Sequence, residues 1–101
     1  MDVLRGILSE SKEYYRDAKN KIEKRLAGLP EGSIKRRKIA GKKYYYLQYR
    51  VGSKVTHKYL GKDRPEDLLK QLNERMALKA ELKKVTEALR ILKRSEGRRR
   101  D

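Results

Sequence analysis

Cysteine is absent from this chain, as are tryptophan and phenylalanine; there is one histidine, His57, and there are two prolines, Pro30 and Pro65. Without cysteine there can be no disulfide, thiolate nucleophile or thiolate metal site, and one histidine cannot make a histidine cluster. No metal or cofactor is therefore expected. Without Trp and Phe, the core must be built from Leu, Ile, Val and Tyr, and only 37% of the 101 residues are hydrophobic. That predicts a thin core in a chain with room for one domain and some helical extension. Nor does any apolar run approach the ~18 residues of a membrane span, and nothing resembles a signal peptide. The chain reads as cytoplasmic, with no membrane partner.

The most informative gap is in negative charge. The net charge is +15, and 43% of residues are charged. Between Ser33 and Lys62 there are ten basic residues and no acidic one, whereas the segments before and after carry only +1 and +4. A solubilising surface would spread its charge; a surface built to hold a polyanion concentrates it. The abundance of Lys, Arg and Glu with few amides is also of the kind found in thermophilic proteins.

Hydrophobic periodicity divides the chain into four parts. In residues 1–29, Leu4, Leu8, Tyr15, Ala18, Ile22 and Leu26 line one face of an amphipathic helix whose polar face mixes both signs. Leu29-Pro30 and Gly32 end it, because the residue before a proline is pushed out of the α region. Over residues 30–62 the period falls to two: Ser33–Ala40, Lys43–Val51 and Lys54–Leu60 read as strands joined by turns at Gly41-Lys42 and Gly52-Ser53. Residues 63–94 read as a long helix, capped by Asp63 with Pro65 in its first turn. The rest, 95–101, reads as a basic tail carrying Arg98–Arg100.

The long helix has two apolar stripes. Leu68, Leu69, Leu72 and Met76 form the first, and Leu78, Leu82, Val85, Leu89 and Leu92 the second, which is rotated from it by roughly 120°. The first is expected to cover the sheet. The second is expected to pack on the amino-terminal helix or on a second copy of the chain, giving a homodimer through the carboxy-terminal helix. The expected fold class is thus α+β: a three-stranded antiparallel β-meander flanked by an N-terminal and a long C-terminal α-helix.

Alternation along the middle strand places Tyr45, Leu47, Tyr49 and Val51 on one face and Tyr44, Tyr46, Gln48 and Arg50 on the other. A tight turn after Val51 sets Tyr46 opposite Tyr59 and Gln48 opposite His57, with Leu47 and Leu60 sharing the core face. The expected outward surface combines Tyr44, Tyr46, Gln48, Arg50, Val55, His57 and Tyr59 with a cationic rim of Lys35, Arg36, Arg37, Lys38, Lys42, Lys43, Lys54 and Lys58. Cations hold phosphates, amide and guanidinium groups pair with base edges, and tyrosines stack on bases or bond phosphates. The chemistry points to nucleic acid, with DNA favoured over RNA.

The run LPEGSIKRRKIAGKKYYYLQYRVGSKVTHKYLGK, from Leu29 to Lys62, resembles a recurrent small prokaryotic domain of poorly defined function, marked by LP-x-GS, YYYLQYR and KYLGK. At coarser resolution the order strand, strand, strand, helix is similar to the arm-site DNA-binding domain of phage-type integrases and to the ethylene-response-factor type of DNA-binding domain. That resemblance implies a sheet that reads the major groove, with Tyr46, Gln48, Arg50, His57 and Tyr59 toward DNA and Leu47 and Leu60 toward the helix.

Two other functions fit parts of the pattern: an RNA-binding or ribosome-associated protein, and an adaptor whose helices bind other proteins. An enzyme is not expected. The basic segment offers no carboxylate as general base, and Glu10, Glu13 and Asp17, like Asp63, Glu66 and Asp67, have the spacing of solvated helix faces.

Overall fold

The computed structural model describes residues 3 to 97, in the order α1 (Val3–Ala27), β1 (Ser33–Ile39), β2 (Lys42–Val51), β3 (Lys54–Gly61) and α2 (Glu66–Gly97). The protein is α+β, with a three-stranded antiparallel sheet that follows an N-terminal helix and precedes a long C-terminal helix along the chain. The strands pair in the order β1-β2-β3, a simple meander.

Two compact units make up the chain: Leu29–Met76 forms one, and the segments through Gly28 and from Ala77 onward form the other. The boundary on α2 falls between its two apolar stripes. Each stripe thus belongs to a different unit, the first to that of the sheet and the second to that of α1.

In the sheet unit, both hairpins have two-residue loops. Ile39 pairs with Lys42 across Ala40-Gly41, and Val51 pairs with Lys54 across Gly52-Ser53. The first turn is therefore one residue earlier than Gly41-Lys42. Both of its central residues have positive φ, 51° at Ala40 and 82° at Gly41, as a type I′ turn requires. This geometry follows the right-handed twist of the strands, which the register evidently favours over the comfort of Ala40 in the left-handed region. Tyr46 lies opposite Tyr59 and Gln48 opposite His57, as expected. Leu60 has no partner: the register jumps from Tyr46–Tyr59 to Tyr45–Gly61, a bulge that leaves Leu60 between them, half-buried. Leu47 lies opposite Lys58, as the same register requires.

The start of α2 also differs from expectation. The carbonyl of Pro65 accepts the Leu69 N–H at 2.9 Å, which puts Pro65 itself, not Asp63, at the N-cap. Glu66 and Asp67 then occupy the first turn, where the helix dipole favours negative charge. At the other end the helix continues past Arg94 to Gly97, so residues 95–97 belong to it rather than to a tail. The Arg98–Arg100 cluster lies outside the described residues.

The core is thin. Among the described residues, Leu29 and Leu72 are buried in the sheet unit and Ile22 and Val85 in the helical unit. Met76, the last member of the first stripe, is 71% exposed. Beside Leu29, Glu31 accepts a hydrogen bond from the Arg75 guanidinium at 3.0 Å, tying α2 to the segment that leads into β1. In the helical unit, Arg90 Nε donates to Glu87 at 3.0 Å. That bond lowers the Glu87 carboxyl below its ordinary pKa and raises the Arg90 guanidinium. Lying on the surface, the pair adds little stability.

Candidate nucleic-acid interface

The pairing register sorts the strand residues into two faces. Because neighbours directly opposite one another share a face, the face of Tyr46 holds Lys35, Arg37 and Ile39 from β1. Lys42, Tyr44, Tyr46, Gln48 and Arg50 come from β2, and Val55, His57 and Tyr59 from β3. The opposite face holds Ile34, Arg36, Lys38, Lys43, Tyr45, Leu47, Tyr49, Val51, Lys54, Thr56 and Lys58.

Burial identifies the core face. Ile34, Tyr45, Leu47, Tyr49 and Thr56 are half-buried. The approach to β1 lies against them, since a Cβ at Gly32 would come within 2.9 Å of the Leu47 side chain and 3.3 Å of Tyr49 Cβ. On the other face Lys35, Arg37, Ile39, Lys42, Arg50, Val55, His57 and Tyr59 are exposed. Only Tyr44, Tyr46 and Gln48, flanked by strands on both sides, are half-buried there.

The rim expected from the sequence is thus divided. Lys35, Arg37 and Lys42 share the face of the tyrosines, together with Arg50. Arg36, Lys38, Lys43, Lys54 and Lys58 are exposed but alternate onto the core face, so they project from its margins. The reason is the period of two: a run such as Lys35–Lys38 cannot put consecutive side chains on one side of a strand.

Three rings form a continuous group. Tyr59 lies 5.4 Å from Tyr46 and 6.3 Å from Tyr44, centroid to centroid, at tilted angles. Arg37, diagonal to Tyr46 in the register, sits over its ring at 5.2 Å. This cation–π contact keeps the guanidinium against the ring group. Nothing in the local spacing reveals it; the diagonal contact appears only once the β1–β2 register is known. The exposure of Ile39 and Val55 at the edges of this face was equally hidden for Ile39, which the strand pattern did not separate from a core position.

Along the face there are two halves. Toward the β1–β2 turn lie the rings of Tyr44, Tyr46 and Tyr59 with Arg37. Toward the β2–β3 turn lie Gln48, His57 and Arg50, groups able to bond base edges, with Gln48 and His57 directly paired. Among the described residues, no strand cation is paired with a carboxylate; ion pairs such as Arg64 with Glu66, Arg75 with Glu31 and Arg90 with Glu87 lie outside the strands. The positive field of the sheet is therefore not neutralised from within the strands.

No group of three or more His, Cys, Asp or Glu residues is placed to hold a metal ion among the described residues. Nor is any described helix long and apolar enough to cross a membrane.

Residues 11–70 match the model of a family described as a domain of unknown function, DUF6788. The match takes in more than half of the chain, including most of α1, the whole sheet and the first turn of α2, so the chain belongs to this family. No curated protein and no solved structure matches it.

Proposed function

We propose that this DUF6788 protein binds nucleic acid through the exposed face of its sheet, with duplex DNA as the ligand and the major groove as the place of contact. The observation that carries the reading is the coincidence, on one solvent-facing β-surface, of base-edge donors and unneutralised cations. Gln48, Arg50 and His57 supply the first. Lys35, Arg37 and Lys42 supply the second, with Arg36, Lys38, Lys43, Lys54 and Lys58 at the margins.

Physically, the two groups do different work. Cations attract the phosphates and release condensed counterions, a term blind to sequence. Side-chain amides and guanidinium groups bond base edges, and an arginine on guanine is worth about 1–3 kcal/mol of discrimination. The marginal cations, four of them on the edge strands and Lys43 near the turn end of the central strand, are suited to the backbones at either side. A homodimer formed through α2 would double the site. Since Val85 is already buried within the chain, such a dimer would use the surface around the exposed Ile91.

A second reading rests on the ring half of the face. Tyr44, Tyr46 and Tyr59 with Arg37 make a platform of the kind on which unpaired bases stack, which favours single-stranded RNA. A titration against duplex DNA, single-stranded DNA, single-stranded RNA and duplex RNA at two salt concentrations separates them. Tightest binding to duplex DNA, weakening steeply with salt, supports the first reading; tightest binding to single strands supports the second. Weak, salt-insensitive association with all four would reject both.

A further inference from the structure

A second cationic surface lies in the helical unit. Lys12, Arg16, Lys19, Asn20 and Glu23 of α1 line a groove of about 290 Å³ together with Leu89 and Lys93 of α2. Four of the seven lining residues are cations and one is a carboxylate. Spacing explains how they meet. Arg16 follows Lys12 by four residues and Lys19 follows Arg16 by three, so at 100° per residue all three fall within an arc of about 60°. The nearby acids Glu13 and Asp17 stand about 100° round the helix from Lys12 and Arg16, on another side. Glu23, eleven residues after Lys12, returns to within about 20° of it and is the one carboxylate that α1 brings into the groove.

From α2, Lys93 adds a further ammonium group, and Leu89, one turn earlier, supplies an apolar side to the groove. Lys19 is half-buried, while Arg16 and Lys93 are exposed. We infer that this groove is a second anion-binding site, which takes the phosphate backbone of duplex DNA, the ligand proposed for the sheet; the inference rests on the reading of the sheet given above. A backbone, rather than a small anionic metabolite, fits the chemistry. The groove is open, it has no ring to stack on, and its donors are strung along a helix. A succession of phosphates can use such donors one after another.

The experiment is a duplex DNA titration over a series of salt concentrations, using full-length chains. It compares wild type, the groove variant R16A/K19A/K93A, the sheet variant R50A/Q48A, and a control, K79A/K84A/R94A, that removes equal charge elsewhere on α2. Circular dichroism checks that each variant retains its helices. For the groove variant the expected result is roughly tenfold weaker binding at moderate salt, with the slope of log K against log salt lower in magnitude by about 2–3, as three lost phosphate contacts require. The control should change both far less. A groove variant equal to wild type, with the sheet variant weakened, overturns the second site and leaves the sheet reading standing. Equal losses in groove and control variants overturn it too, since net charge alone would then explain them. Absence of duplex binding by wild type overturns the sheet reading itself, and with it this one.

Discussion

Gly32 is the residue whose replacement should be felt most. Its φ is +122°, and a Cβ there would stand 2.5 Å from the Gln48 carbonyl oxygen and 2.9 Å from the Leu47 side chain. Neither the backbone conformation nor the space admits an alanine. Gly32→Ala is expected to destabilise the sheet unit by about 2–3 kcal/mol, read as a lower midpoint in chemical denaturation. The opposite holds at Ala40, which sits at φ 51° in the first hairpin turn with nothing to compensate it. Ala40→Gly should relieve this and raise stability by about 0.5–1 kcal/mol, visible as an increase in melting temperature; a decrease would show that the turn is not type I′. The need for Gly32 at the turn was legible, because Pro30 and Gly32 together punctuate the end of the helical period. The position of the first turn was not. Gly41 marks a turn in either register, and only strand pairing, a long-range property, selects Ala40-Gly41 over Gly41-Lys42.

At the scale of the element, the sheet has two faces with separate tasks, and substitutions on them should separate as well. Arg50→Ala and Gln48→Ala, on the exposed face, should weaken binding to a preferred duplex sequence by about 1–3 kcal/mol while changing binding to arbitrary sequences less. Lys54→Ala and Lys58→Ala, at the margin of the core face, should weaken all sequences alike and lower the salt dependence. Equal losses across all sequences from all four substitutions would contradict base reading. The strand alternation, the Tyr46–Tyr59 and Gln48–His57 pairs and the core face of Leu47 could all be read from the period of two and the short second turn. What could not be read was the bulge at Leu60, which depends on how Tyr45 and Gly61 meet, and the Arg37–Tyr46 contact, which is diagonal across the register. The helices show the same limit. Their apolar stripes predicted two helices, yet Pro65 as a cap and the extension to Gly97 depend on backbone bonds that side-chain patterns do not encode.

For the whole molecule, the governing quantity is where the +15 charge is held. The strand segment carries most of it, and among the described residues its cations are free of carboxylates within the fold, so association with a polyanion should be strongly salt-dependent. Exposed apolar side chains at Val3, Leu4, Ile7 and Ile91 leave room for self-association. If a dimer forms through α2, Ile91→Glu should shift the sedimenting mass from two chains to one at high micromolar concentration. A wild type that sediments as one chain under those conditions would dispose of the dimer without touching the proposal for the sheet. The concentration of charge was legible from the outset, since it needs only counting. The groove formed by Arg16, Lys19 and Lys93 was not, because it requires two helices distant in sequence to bring their cations together.

The most direct test is to follow backbone amide resonances of the labelled protein while duplex DNA is added. Shifts concentrated on Tyr44, Tyr46, Gln48, Arg50, His57 and Tyr59, the residues of the solvent-facing side of the sheet, are the predicted result. Resonances of these residues that stay unmoved at saturating DNA, while signals elsewhere respond or none do, would contradict the assignment of that surface.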